Sequence, residues 1–227
     1  MKKYELLLID LDGTILDFNK SEEEAIKHCF LNYGIEPNKE NIKLYSEIND
    51  LMWKALERGE INQSDLKIAR FSKFLEAIGR NDVDATAMGE NFLTLLGEGK
   101  YLIDGALEFI KHLKQSHKIA YITNGISKVQ RSRLFENPIA DFADKVYISE
   151  DIGYSKPHPQ MIYLALDEFN IDKSKALVIG DSETSDIQAG INAGVDSLYL
   201  NFKNDEPSKI ASFTAFNYAE ALNIICK

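Results

Sequence analysis

The amino-acid sequence has little cysteine and no long apolar run, and each shortage excludes a class of protein. Cys29 and Cys226 are the two cysteines among 227 residues. Because they lie far apart and in no metal-binding spacing, they are typical of reduced residues in a cytosolic protein. The apolar run at residues 6–9 ends at Asp10, so it is too short for a signal peptide or a membrane span. We therefore expect a cytoplasmic protein with no membrane partner.

Positive charge is also in short supply. The chain has 26 Lys and Arg residues against 36 Asp and Glu residues, which gives a formal net charge of −10. A protein this acidic repels nucleic acid polymers and anionic membrane surfaces. A small anionic substrate remains compatible with this charge if a metal ion and a few local donors neutralise it.

The rest of the composition is that of an ordinary globular protein. Hydrophobic residues make up 44% and charged residues 27% of the chain, which is typical of a soluble fold with a sizeable core. At about 150 residues per domain, we expect one large domain, or one domain that carries a smaller insertion.

The spacing of apolar residues changes along the chain. Residues 4–9 are apolar except for Glu5 and form a short apolar run, which is typical of a strand buried on both faces. From residue 18 to residue 95 the apolar positions recur at three- and four-residue steps, which predicts helices and no strand. Ser21 and Glu24 have the spacing of a capping box at the start of the first helix. After residues 97–99, predicted helices and strands alternate.

This alternation predicts an α/β fold, a doubly wound Rossmann-like parallel sheet with an inserted α-helical cap. We expect residues 1–17 and 98–227 to form the core and residues 18–97 to form the cap. Ligands of open parallel sheets bind at the carboxyl ends of the strands. An insertion that leaves the chain after the first strand lies at that edge and is placed to act as a lid.

Polar residues follow the predicted strands at this same edge of the sheet: Asp10, Asp12, Thr123, Asn124, Lys156, Asp181 and Asp186. Four aspartates that share a small crevice disfavour one another's ionisation unless a cation lies among them. Oxygen ligands with no nearby His or Cys favour Mg²⁺. We predict that Asp10 and Asp181 bind Mg²⁺ directly and that Asp186 binds it directly or through water.

The remaining residues of this set predict phosphoryl transfer. Lys156 supplies a cation, Thr123 a hydroxyl and Asn124 backbone or amide donors, which together form a cradle for phosphate. Asp10 at the strand end can act as a carboxylate nucleophile and form an aspartyl-phosphate. Asp12, two residues later, can protonate the leaving alkoxide and then deprotonate the attacking water.

Four segments in this order resemble the motifs of the haloacid dehalogenase-like (HAD) superfamily: DLDGT at 10–14, TNG at 123–125, SKP at 155–157 and GDSETSD at 180–186. The resemblance covers essentially the whole chain, including a helical cap inserted after the first motif. It implies Asp10 as nucleophile, Asp12 as general acid and base, and Thr123 and Lys156 as phosphate contacts. It also implies Mg²⁺ ligation by Asp10, the Asp12 main-chain carbonyl, Asp181 and Asp186.

Further segments resemble the pyrimidine 5′-nucleotidase branch of this superfamily: residues 15–18, 45–49, 53, 57–61, 70–71, 122–134 and 186–194. The resemblance implies a nucleoside 5′-monophosphate as the substrate. The sequence departs from the branch at Gly13, where a second Asp is common, and at residues 157–159, where acidic versions are common. Both departures bear on the choice of substrate.

Other functions share parts of this pattern. A phosphatase of phosphoglycolate or a sugar phosphate, and a phosphosugar mutase, would use the same nucleophile and acid. A dehalogenase needs neither Asp12 nor a metal. A phosphoaccepting signalling module has no lid, so the insertion at residues 18–95 and the acid at Asp12 disfavour it. The sequence leaves open whether the protein is a monomer or a homodimer.

Overall fold

The structure is a computed structural model that describes residues 3–203 and 206–226. Its strands are β1 (Leu6–Ile9), β2 (Lys118–Thr123), β3 (Lys145–Ile148), β4 (Ala176–Gly180), β5 (Asp196–Leu200) and β6 (Phe213–Ala215). Its helices are α1 (Phe18–Asn32), α2 (Lys39–Glu57), α3 (Gln63–Ala77), α4 (Ala85–Glu98), α5 (Ala106–Lys114), α6 (Ser127–Leu134), α7 (Ser149–Ile152), α8 (Gln160–Phe169), α9 (Gln188–Ala193) and α10 (Tyr218–Ile225).

The six strands of the described sheet are parallel and lie in the order β3-β2-β1-β4-β5-β6. β1 is central, and its last residue Ile9 lies opposite Tyr121 of β2 and Ile179 of β4. The direction of strand order reverses beside β1, because β2 and β3 lie on one side of it and β4 to β6 on the other. Such a switch point is where open parallel sheets bind ligands. The predicted doubly wound α/β fold is confirmed.

Helices cover both faces of the sheet. Leu7 and Ile9 of β1 pack into a core that includes α5 and α10. Leu6 and Leu8 pack into a second core that includes α8 and α9. Since alternate side chains of a strand point to opposite faces, burial of both faces explains why β1 has a continuous apolar run.

The helices α1 to α4, which we call the helical insertion, have an apolar core of their own. Its centre is aromatic, and the rings of Phe30 and Phe74 stack with centroids 4.7 Å apart. Ile126 and Val129, at the start of α6, belong to the same cluster. The helical insertion therefore packs on the end of the sheet domain where β2 leads into α6.

The start of α1 differs from the sequence prediction. Helix α1 begins at Phe18, and Asp17 caps it by accepting a hydrogen bond from the Lys20 backbone N–H at 3.0 Å. The predicted capping box at Ser21 is wrong, because Ser21 is buried inside the helix and its hydroxyl donates to the Asp17 carbonyl at 2.8 Å.

The sequence pattern also failed to predict β6 and α10. β6 has three residues, and Ala215 is the one that is fully buried, so its apolar period is too short to recognise. α10 carried a usable signal, since Asn217 accepts a hydrogen bond from the Glu220 backbone N–H and thereby caps the helix. Among the described residues, no helix is both long and apolar enough to cross a membrane.

Candidate active site

A buried lysine lies at the centre of the carboxyl edge of the sheet. Lys156 Nζ donates to Oδ1 of Asp10 at 2.6 Å, to Oδ1 of Asp186 at 2.6 Å and to the Ile122 carbonyl at 2.8 Å. The lysine is 1% exposed. Burial opposes its charge, but Asp10 and Asp186 outweigh that effect and raise the pKa of Lys156 above its ordinary value. The ammonium group is therefore a fixed cation beneath the site.

Three carboxylates share this edge. Oxygen atoms of Asp10, Asp181 and Asp186 all lie within 4.8 Å of one another. Burial, with the neighbouring acids, raises the pKa of Asp10 well above its usual range and that of Asp181 to about 7. One lysine cannot balance three carboxylates, and an oxygen-only donor set suits a hard divalent cation such as Mg²⁺. The residues present thus fit the metal that the sequence predicts.

Two glycines let these carboxylates approach the backbone. Gly13 has φ +85°, and a Cβ atom there would lie 2.3 Å from Oδ2 of Asp181. A Cβ atom at Gly180 would lie 2.2 Å from Oδ2 of Asp186. A side chain at either position would push a carboxylate out of the cluster. Glycine at these positions is therefore required by the geometry of the site.

Asp186 lies within an irregular helical turn. Residues Glu183–Ile187 form a π-helical turn ahead of α9. There Oδ2 of Asp186 accepts a hydrogen bond from the Ser182 backbone N–H at 3.1 Å, while Oδ1 accepts from Lys156. π-helical turns occur frequently at functional sites. The turn directs Asp186 toward the lysine.

Two residues of α6 bind the side chain of Asp12. Gln130 Nε2 donates to Oδ2 of Asp12 at 2.5 Å and to Oγ1 of Thr123 at 2.8 Å. Arg133, which is buried, donates from Nη1 to Oδ1 of Asp12. The sequence prediction gave Gln130 and Arg133 no role, although both lie in the segment 122–134 that resembles the nucleotidase branch. Two polar residues one helical turn apart are neighbours on any helix face, so their spacing alone does not indicate which side chain they bind.

Asn124 acts on Lys156 through the backbone. Its Nδ2 donates to the Lys156 carbonyl at 2.8 Å, and its Oδ1 accepts from the Lys156 backbone N–H at 2.7 Å. Thr123 Oγ1 accepts from the Gly125 backbone N–H at 3.1 Å. The structure thus brings together all seven residues that the sequence placed at this edge, and it links Asn124 to the position of the lysine.

A cavity of about 330 Å³ lies between this edge and the helical insertion. Asp10, Asp12, Lys156 and Asp181 line it on the side of the sheet. The helical insertion contributes Phe18, Asp50, Trp53, Glu57, Arg70 and Leu96. The volume is within the range of small-molecule sites. The wall formed by the sheet edge thus carries aspartates and a lysine, and the opposite wall carries aromatic and charged side chains.

Hydrogen bonds join the helical insertion to the sheet domain around this cavity. Gln63 Nε2 donates to the Asn124 carbonyl at 3.0 Å and to Oγ of Ser149 at 2.8 Å. On another side, Thr184 Oγ1 donates to Oε2 of Glu57 at 3.0 Å. These contacts hold α2 and α3 against the loops that follow the strands.

The sequence is similar over its full length to bacterial proteins that are named as a hydrolase or a nucleotidase. It is 32% identical to the HAD-hydrolase YfnB of Bacillus subtilis (strain 168) over 230 residues, which cover 99% of this chain and 97% of that protein. It is 30% identical to the pyrimidine 5′-nucleotidase YjjG of Escherichia coli (strain K12), with 99% of each chain covered.

The fold shows the same relationship. A crystal structure of the Bacillus subtilis protein YfnB bound to magnesium matches with a TM-score of 0.92 and 30% identity, and it covers 99% of both chains. Residues 7–200 match the family described as haloacid dehalogenase-like hydrolase. The chain therefore belongs to the haloacid dehalogenase-like hydrolase family.

Proposed function

We propose that this protein is a Mg²⁺-dependent phosphomonoester hydrolase that forms an aspartyl-phosphate on Asp10 and acts on a pyrimidine nucleoside 5′-monophosphate. The observation that carries the proposal is the convergence of three carboxylates around Lys156 at one wall of the cavity, those of the buried Asp10 and Asp186 and of the partly buried Asp181. Such a site can hold a phosphoryl group by charge while a carboxylate oxygen attacks it.

The carboxylates of Asp10, Asp181 and Asp186 would hold the metal, together with the main-chain carbonyl of Asp12. When bound, Mg²⁺ neutralises charge on the phosphoryl oxygens and helps to orient them. Lys156 contributes a second, permanent positive charge from below. Thr123 lies at the same edge and offers a hydroxyl to a phosphoryl oxygen.

The reaction would proceed in two displacements at phosphorus. A carboxylate oxygen of Asp10 bonds to phosphorus, the ester P–O bond breaks, and Asp12 transfers its proton to the leaving oxygen. Asp12 then removes a proton from water, whose oxygen bonds to phosphorus as the acyl-phosphate bond breaks. Inorganic phosphate leaves, Asp10 is again a carboxylate, and Asp12 is again protonated.

The residues of α6 would position Asp12 for both steps. Gln130 binds Asp12 and Thr123 together, so the acid and a phosphate contact share one amide group. Residues 18–97 would serve as the cap, because helices of this segment form the opposite wall of the cavity. A cap that excludes bulk water strengthens the electrostatic interactions inside the site.

The choice of a nucleotide rests on relatives and on the cavity. The similar protein from Escherichia coli is named a pyrimidine 5′-nucleotidase, and the chains match along their full length. The wall opposite the carboxylates includes the aromatic residues Phe18 and Trp53, against which a base can pack.

Phosphate release from a panel of esters tests the proposal. The panel contains UMP, CMP, AMP, ribose 5-phosphate and 2-phosphoglycolate, with Mg²⁺ and after removal of metal by EDTA. We expect UMP and CMP to give the highest kcat/KM, and we expect EDTA to abolish turnover and added Mg²⁺ to restore it. Metal-independent turnover would contradict the mechanism. Isomerisation of a sugar phosphate without phosphate release would instead identify a mutase.

A further inference from the structure

A buried arginine in the wall of the cavity is only partly hydrogen-bonded. Arg70 of α3 lines the cavity and is 1% exposed. Its Nη1 donates to Oδ1 of Asn49 at 3.0 Å. Its Nε and Nη2 have no hydrogen-bond partner among the described residues. These two nitrogens lie on one edge of the guanidinium plane, and that edge can take one or two oxygen acceptors side by side.

The surroundings of Arg70 hold its side chain in place. Its guanidinium lies over the rings of Phe71 and Phe92, with distances to the ring centroids of 5.2 and 4.8 Å. Asn49, which binds Nη1, in turn donates to Oε1 of Glu22 at 2.7 Å. Aromatic faces stabilise a buried cation but do not satisfy its N–H groups. The Nε–Nη2 edge is therefore preorganised and lacks an acceptor.

The chemistry of this wall favours a nucleobase over a second anion. Asp50 and Glu57 line the cavity on the same side as Arg70. Their carboxylates would repel a substrate that carried a carboxylate at this end. They would instead accept from N–H groups of a base, whose carbonyl oxygen could accept from Arg70. Trp53 on the same wall offers an aromatic surface for the ring.

We propose that Arg70 determines substrate specificity by donating from Nε and Nη2 to the C2 carbonyl oxygen of a pyrimidine base. This inference rests on the proposed function, since it names the recognition of the leaving group at that same site. The base is the part of the substrate farthest from phosphorus, and it would contact the helical insertion. Arg70 therefore acts on the binding and orientation of the substrate and takes no part in proton transfer. A bound pyrimidine nucleotide would supply the hydrogen-bond acceptor that Nε and Nη2 of Arg70 lack in the protein alone.

The test compares Arg70→Met, which keeps the length and packing of the side chain, with Lys73→Met, an exposed residue one turn away on α3. We expect kcat/KM for UMP to fall about 10- to 100-fold in Arg70→Met and to stay at the wild-type value in Lys73→Met. Ribose 5-phosphate, which lacks the base, should be hydrolysed equally by all three proteins. Arg70→Lys keeps the charge without the planar edge and should resemble Arg70→Met, which gives a second variant if Met disturbs folding.

Binding of the free nucleoside separates this inference from the proposed function. Calorimetry should show uridine binding to the wild-type protein more tightly than 2-thiouridine, in which sulfur replaces the O2 oxygen, and Arg70→Met should bind both equally weakly. If the protein hydrolyses no ester but uridine binding still depends on Arg70, the proposed function fails and the inference stands. Equal losses for UMP and ribose 5-phosphate, an unchanged kcat/KM for UMP, or a loss confined to 2-phosphoglycolate would each overturn it.

Discussion

Arg133 donates from Nη1 to Oδ1 of Asp12 and from Nε to the Gly99 carbonyl, the latter at 2.9 Å. Its Nη2 also donates to Oγ of Ser21 at 3.3 Å. Ser21 lies in the first turns of α1, and Gly99 directly follows α4. One buried side chain thus joins Asp12 to both chain segments that connect the helical insertion to the sheet. Movement of the helical insertion would therefore change the position of the Asp12 side chain.

The first prediction concerns Arg133. Arg133→Lys keeps the positive charge, but a single ammonium nitrogen cannot reach three acceptors that the guanidinium fork reaches. We expect kcat for UMP to fall about tenfold or more. The loss should be smaller for p-nitrophenyl phosphate, whose leaving group needs little help from Asp12. Arg131→Lys, at an exposed position on the same helix, is the control. Equal activity of the two variants would refute a positioning role for Arg133.

Asp10→Asn tests the proposed nucleophile. An amide cannot form the acyl-phosphate, so turnover should fall by about a thousandfold or more. The protein should remain folded, because the substitution keeps the shape of the side chain and removes a buried charge. Phosphate release and a thermal unfolding curve are the two measurements. Asp104→Asn, at an exposed site, should behave as wild type. Full activity of Asp10→Asn would end the aspartyl-phosphate mechanism.

Asp12→Asn tests the proposed general acid and base. Loss of the acid should reduce turnover most for esters with poor leaving groups. We expect the decrease for UMP to exceed that for p-nitrophenyl phosphate by about tenfold or more. Initial rates with both esters, measured under single-turnover conditions, isolate the first displacement. Decreases of equal size would assign Asp12 to some other task.

Gly13→Ala tests the close approach of the backbone to Asp181. Both Gly13 and Gly79 have positive φ, but a Cβ atom at Gly79 would meet no atom within 4 Å. Alanine at either site introduces backbone strain, which destabilises the folded protein by about 1–2 kcal/mol. Displacement of Asp181 occurs in Gly13→Ala alone, so the Mg²⁺ concentration for half-maximal activity should rise there by about 10- to 100-fold. The idea is wrong if Gly79→Ala weakens Mg²⁺ activation to the same extent.

The pH dependence of stability has a contribution from Glu22. Burial raises the pKa of this carboxyl from 4.5 to about 7, against the opposing effect of Arg70. The folded protein therefore binds this proton more tightly than the unfolded chain does. The resulting stabilisation is present below pH 4.5 and is lost as the pH rises through about 7.

Glu22→Gln removes this titration and keeps a polar group for Asn49. Between pH 4.5 and pH 7 the free energy of unfolding of the wild type should decrease relative to that of the variant, by on the order of 2 kcal/mol. Urea unfolding at a series of pH values measures the difference. Glu23→Gln, an exposed position on the same helix, is the matched control. Parallel pH profiles for wild type and Glu22→Gln would rule out the raised pKa.

The candidate site was predictable wherever a residue follows a strand. Asp10 and Asp181 come directly after buried runs in β1 and β4, and the parallel sheet brings such ends together. Arg70 and Arg133 lie inside helices, where a polar residue gives no sign of which neighbours it meets. The sequence predicted that these segments are helices, but it did not predict which residues the side chains of Arg70 and Arg133 contact.

Local patterns alone determined that this chain builds a parallel sheet wrapped by helices, interrupts it once with a helical segment, and gathers aspartates and a lysine at one edge. Period, burial and strand ends are properties of neighbouring residues, so they can be recognised without coordinates. Which side chains share a hydrogen bond across more than a hundred residues was decided only by the tertiary structure. The contact of Arg133 with Asp12 and the unsatisfied edge of Arg70 depend on how α6 and α3 pack over the sheet, since a few ångströms of helix position decide whether a donor finds an acceptor.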